Sequence, residues 1–232
     1  MGASKRPQMK TFDENWPDQI WSATCAKNGG RGASWGLAVA AIAVTGCRPA
    51  ALEKGVTFSI VKRDGKNVIE AVIQGVKLLE NRGQPEHTFR WSTQSDTHRE
   101  RELIALTEAV AASPGRTLVI RYDAEAISTR LRELSETLWP RRKNKVTAYC
   151  YRELLSATAK AAGAPPEEIA AAMGHRSTES QGCYARAGRI KRGGKKPWGA
   201  VAGSVSIKVD RSPMTRFKTA AAIKKAKIRR SI

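Results

Sequence analysis

The run Ser34-Trp-Gly-Leu-Ala-Val-Ala-Ala-Ile-Ala-Val-Thr45 constrains this chain more than any other segment. Trp35, Leu37, Ala38, Val39, Ile42 and Val44 leave no polar face, and a helix that is apolar all round has to be buried. Ser34 is suited to cap its start. Thr45-Gly46 ends it, and Arg48-Pro49 opens a new turn with proline at a tolerated early position. The apolar stretch Trp35 to Val44 is about half the length needed to span a bilayer, so it reads as core.

Around this helix the pattern alternates between periods of 2 and 3.6. Val56 to Val61 is β-branched and aromatic, Asp64-Gly65 is a hairpin signal, and a return strand runs from about Val68 to Val76. A third short strand, Thr88 to Ser92, completes a small antiparallel sheet. Helical spacing follows over Arg99 to Ala112 and, after a short buried stretch at Thr117 to Ile120, over Ala124 to Leu138. Thr147 can cap a helix over Ala148 to Ala162, stopped by Gly163. Pro165-Pro166-Glu167-Glu168 starts another, which ends at Gly174. A last short helix is expected to carry Tyr184.

Charge narrows the partner. The 232 residues hold 41 Lys and Arg against 21 Asp and Glu, and residues 186–232 hold 15 of the cations with Asp210 as their one acid. Such a bias favours a polyanion, because each cation that neutralises a phosphate releases condensed counterions. Cys25, Cys47, Cys150 and Cys183 show no C-x-x-C pair and no zinc-ligand spacing, which suits reduced thiols in a cytosol. Met1 to Lys10 has no apolar core of a secretory signal. The expected location is cytoplasmic and DNA-associated, with no membrane partner.

The chemistry-bearing residues fall in two blocks. The first is Thr45-Gly46-Cys47-Arg48-Pro49-Ala50-Ala51-Leu52. The second runs Tyr149-Cys-Tyr-Arg152, an alanine-rich helix to Gly163, Ala172-Met-Gly-His175-Arg-Ser177 and Tyr184. In order and spacing these blocks resemble the two signature boxes of the tyrosine recombinases, the phage integrase family. Those boxes read T-G-x-R-x-x-E-L and H-x-x-R, followed by a Gly-His turn and a tyrosine nine residues beyond the histidine. Tyr184 lies nine residues after His175, and Arg152 lies 23 before it. The resemblance covers about residues 34–185. It departs at Tyr149, which stands in place of the first histidine, and at Ala51, in place of the glutamate.

The resemblance implies a role for each residue, and elementary chemistry explains the residue types. Conserving phosphodiester energy needs a covalent intermediate, so the nucleophile is a side chain, Tyr184. Arg48 and Arg152 would meet the phosphate oxygens with forked, permanently charged donors. His175 would add a hydrogen bond, and Tyr149 could supply another. Lys77, at the end of the second strand, is the best match to the family's hairpin lysine, with Lys62 and Lys66 as rivals on the same hairpin, and would protonate the leaving 5′-oxygen. No metal or other cofactor is implied.

The expected fold is α+β, mainly α, a tyrosine-recombinase-like (DNA breaking-rejoining) catalytic domain with a small antiparallel sheet. Residues 1–33 read as a basic, polar arm, 34–185 as the catalytic domain and 186–232 as a basic tail. The expected function is site-specific recombination or integration of double-stranded DNA by a homo-multimer on paired sites, serving a mobile element. Two alternatives stay open: a catalytically weakened DNA-binding regulator on the same fold, and a type IB topoisomerase-like enzyme. Residues 1–33 are too short for the family's N-terminal clamping domain. The chain is therefore either a fragment or one that holds DNA through its catalytic domain and tail.

Overall fold

The computed structural model describes residues 12–27, 34–76, 78, 83–92, 99–180, 184 and 196–209. The apolar segment is helix α2 (Ser34–Thr45), and every residue from Ala38 to Thr45 is buried. Its cover comes from five helices: α1 (Trp16–Ala26), α3 (Pro49–Lys54), α4 (Glu100–Ala112), α5 (Ala124–Leu138) and α6 (Ala148–Ala161). A helix without a polar face could reach a stable state only in such a central place. Each fully buried Val or Ile there contributes about 1.5–3 kcal/mol.

Helix α1 corrects the reading of residues 1–33 as a polar arm. Trp16, Ile20, Trp21 and Thr24 are buried, and the Trp16 ring lies 4.7 Å from that of Tyr151 on α6. Buried Arg99 pins α1 to α4, meeting Asp18 at 3.1 Å and also pairing with Glu102. The i, i+4, i+5 spacing of Trp16, Ile20 and Trp21 is a helical face. It is easily overlooked among the charged and glycine-rich residues around it.

Strands β1 (Val56–Arg63) and β2 (Lys66–Gln74) form the expected hairpin. Asp64 and Gly65 both have positive φ, 49° and 74°, as a two-residue turn matching strand twist requires. Strand β3 (Glu86–Ser92) follows, alternating in burial so that His87, Phe89 and Trp91 face the core. Two further strands enlarge the expected three-stranded sheet. β4 (Thr117–Ile120) pairs with β1, and β5 (Ala200–Gly203) pairs with β3, giving the antiparallel order β4-β1-β2-β3-β5. The expected burial of Thr117 to Ile120 holds for Ile120 alone, because β4 is an edge strand.

β5 also corrects the extent of the basic tail. Within 186–232, residues 196–209 fold back onto the body. Trp198 is buried edge-on to Phe89, and its indole N–H donates to Glu168 at 3.2 Å on α7 (Pro166–Ala172). Lys196 reaches the same carboxylate at 2.9 Å. A tryptophan inside Lys195-Lys196-Pro197-Trp198 is the signal, overshadowed by the surrounding charge. The short helix expected to carry Tyr184 lies, apart from Tyr184 itself, outside the described residues.

The architecture is thus mainly helical with one small antiparallel sheet, the α+β class expected. Among the described residues no helix is long and apolar enough to cross a membrane.

Candidate active site

The site begins where α2 stops. Gly46 takes φ +58°, and a Cβ there would come within 2.9 Å of Leu155 Cδ2 and 3.3 Å of Arg152 Cα. The missing side chain lets α6 close onto the end of α2. Arg152, only 2% exposed, then donates to the Gly46 carbonyl at 3.0 Å and to the carbonyl of Met173 at the end of α7. A buried cation without acceptors costs several kcal/mol. Two converging helix C-termini, each the negative end of its dipole, supply them here.

The α7 terminus sets the next residue. Gly174 (φ +62°) donates to Ala171 at 2.8 Å and His175 to Ala170 at 2.8 Å, the paired bonds of a left-handed glycine stop. The chain therefore turns sharply at residue 174 and carries His175 toward Arg152. Buried Gln84 holds the turn. Its backbone N–H donates to the Gly174 carbonyl at 2.9 Å, and its amide bridges the His175 carbonyl (3.1 Å) and both polar groups of Val205. The segment after β5 adds bonds between Lys208 and the backbone of Arg176 and Thr178.

Tyr184 completes the cluster. Its hydroxyl lies 3.3 Å from Arg152 Nε, which donates to it, and 3.4 Å from His175 Nε2. The Arg152 guanidinium stands 5.6 Å over the phenol ring, and the His175 ring centroid is 5.4 Å away. Arg48, at the start of α3, stands beside the same phenol, close enough for the two groups to interact electrostatically. Burial and then the neighbouring Arg152 charge lower its affinity for its proton. His175 is 8% exposed, and its pKa is pushed down to about 3 by burial first, then by Arg152 and Arg48. At neutral pH its imidazole is uncharged. The hydroxyl is half-buried and stands among two guanidinium groups and one imidazole, with no carboxylate in the cluster among the described residues.

Of the six residues expected from sequence, Arg48, Arg152, His175 and Tyr184 come together. Tyr149 sits on the first turn of α6, 43% exposed and near enough to influence the Arg48 charge. Lys77 lies outside the described residues, although Gly75 and Val76 line a recess beside Arg48. Ala51 lines the same recess. Two residues were not anticipated. Gln84 gives no pattern that sequence could flag. His87 does, because it extends the inward face of β3 by one step before Phe89 and Trp91, whereas a strand begun at Thr88 leaves it out.

No protein-family model matches the chain, and no curated protein matches it. Among solved structures, the crystal structure of XerA recombinase is similar, with 17% sequence identity and a TM-score of 0.49. That likeness covers 75% of this chain and 59% of the other, so this chain spans less than two thirds of that protein's length. A superposition this loose carries no argument about function, which has to be read from the side chains themselves.

Proposed function

We propose that the chain breaks and rejoins DNA strands through a 3′-phosphotyrosyl intermediate on Tyr184. The observation that carries this reading is the convergence of Arg152 and His175 on one phenolic oxygen, with Arg48 beside the same phenol. The Tyr184 oxygen attacks phosphorus and the bond to the 5′-oxygen breaks. A phosphotyrosine ester and a free 5′-hydroxyl remain. Neutral His175, 3.4 Å from the phenol, takes its proton once the charge of the bound phosphate offsets the two arginines that depress its basicity. Lys77 would return one to the leaving oxygen. The two guanidinium forks meet the charge on the non-bridging oxygens, and losing one such donor typically costs about 3–4 kcal/mol of transition-state stabilisation.

Tyrosine suits an exchange that must reverse. Its free pKa of about 10 makes the phenolate a better leaving group than an alkoxide, so the 5′-hydroxyl can reclaim the phosphate. Recombination between paired sites by a multimer is the wider reading, and DNA-associated action in the cytoplasm goes with it. The test is incubation with a nicked duplex, followed by a search for a protein–DNA adduct that resists SDS. The adduct is expected with the natural chain and not with Tyr184→Phe. Tight DNA binding with no adduct would favour the DNA-binding regulator, and relaxation of supercoils at any sequence would favour the topoisomerase.

A further inference from the structure

A buried imidazole with neither nitrogen engaged is uncommon, because an unmade internal hydrogen bond costs about 1–3 kcal/mol. His87 is 6% exposed, and neither Nδ1 nor Nε2 has a hydrogen-bond partner. Its ring lies against Gly174, where a Cβ would stand 3.1 Å from Cε1. It also walls the recess shared by Cys47, Arg48, Ala51, Gln84 and Arg152, which has room for about one water.

Among the described residues, several acceptors lining that recess are already engaged, the Gly75 carbonyl by Lys54 and the Gly174 carbonyl by the Gln84 N–H. Arg152 already has two carbonyls, from Gly46 and Met173. Beside Arg48 stands the Tyr184 phenol, which must move away when it attacks phosphorus. The Gln84 amide is committed to His175 and Val205. Ala51 offers a methyl group, and the Cys47 thiol, its pKa pushed up to about 11 by burial, stays protonated. The charged and titratable groups facing His87 are Arg152 from α6, Arg48 ahead of α3 and His175 after α7. With its pKa pushed down to about 3 by burial and both arginines, His87 keeps one ring nitrogen as a bare acceptor.

We propose that His87 is a positioning residue for Arg48: one imidazole nitrogen accepts a hydrogen bond relayed from the guanidinium through a single water in the recess. This contact keeps the Arg48 fork aimed while Tyr184 leaves it. The assignment rests on the DNA-cleavage reading for its purpose, but the contact can be measured without cleavage.

The experiment follows solvent exchange of the Arg48 Nε–H in full-length, 15N-arginine-labelled chain. His87→Leu keeps the volume without an acceptor, and His87→Asn keeps an acceptor. A charge-assisted hydrogen bond is worth enough that its loss should speed Arg48 exchange about tenfold or more in His87→Leu, with Arg152 little changed and His87→Asn close to the natural chain. Adduct formation at saturating nicked DNA should slow by about the same factor in His87→Leu, and recover in His87→Asn, with KM unmoved. Equal Arg48 exchange in His87→Leu and the natural chain would overturn the proposal. Should the leucine chain not fold, the 15N shifts of the His87 ring decide. They must report one protonated nitrogen and one bare but hydrogen-bonded nitrogen, and a free lone pair refutes the contact. If exchange responds as expected while no form of the chain makes a Tyr184-dependent adduct, the contact stands and the cleavage reading falls.

Discussion

Lowering the pH from 7 to 5 should destabilise the chain by about 4 kcal/mol through two histidines, and His87→Asn should halve that loss. His87 and His175 are 6% and 8% exposed, and both have pKa values pushed from 6.5 to about 3, chiefly by burial and then by the two arginines. The sign follows from which state takes up protons. Below pH 6.5 the unfolded chain protonates these imidazoles, while the folded chain does so only near pH 3. Their contribution is therefore complete above the unfolded value and is lost as the pH falls toward the folded one. The slope approaches about 1.4 kcal/mol per pH unit for each ring, which integrates to about 2 kcal/mol each between pH 7 and 5. Urea unfolding of the natural chain and His87→Asn at both pH values measures it. Comparing the two losses cancels the carboxylates and His98, which lies outside the described residues. Losses agreeing within about 0.5 kcal/mol would refute the claim that His87 is held neutral by its surroundings.

Other perturbations test other links. Gly46→Ala forces a left-handed alanine into Leu155 and should cost about 1–3 kcal/mol in urea unfolding, with adduct yield falling as Arg152 shifts. Trp198→Ala should cost about 3–5 kcal/mol if β5 belongs to the fold, and less than about 1 kcal/mol if it is only tail. Arg152→Lys keeps the charge but loses the fork, so adduct formation at saturating DNA should drop about 100-fold or more. Deleting residues 210–232 should lower the log–log salt slope of DNA binding by about 0.9 for each phosphate contact removed, and an unchanged slope would deny that segment a role. The cut belongs after Val209, because an earlier one would remove the bonds of Val205 and Lys208 to the site or, before residue 200, strip β5 from the sheet.

Legibility from sequence varied with how local the cause of each feature was. Helix α2 needed no tertiary information, since an all-apolar face leaves one solution. The β1–β2 hairpin was equally plain, because Asp64-Gly65 encodes its own turn. α5 begins and ends where its period says it should, and the structure adds the Asp123 carboxylate capping the Ala126 N–H at 2.6 Å. α1 and β5 were obscured because each carries its apolar residues among charges, and a partner surface supplies most of its stability. In the site, the spacing of Arg48, Arg152, His175 and Tyr184 was visible as a pattern. The reason Arg152 can be buried was not, because its acceptors are carbonyls contributed by residues 46 and 173. Gln84 acts through what the fold sets beside it and no short-range rule points to it, whereas the alternation of β3 points to His87 only as an inward residue and not to its neighbours.

The carbonyls that hold Arg152 bear on how loss of activity would look in related chains. A lineage that abandoned cleavage could discard the phenol at 184, or the arginine at 48, without opening its interior. It could not easily discard the guanidinium at 152, which fastens the ends of two helices to a third. An arginine at 152 is thus testimony about architecture, whereas one at 48, half-buried beside the phenol, is testimony about chemistry. Inactive cousins should be recognised by what has happened at 48 and 184.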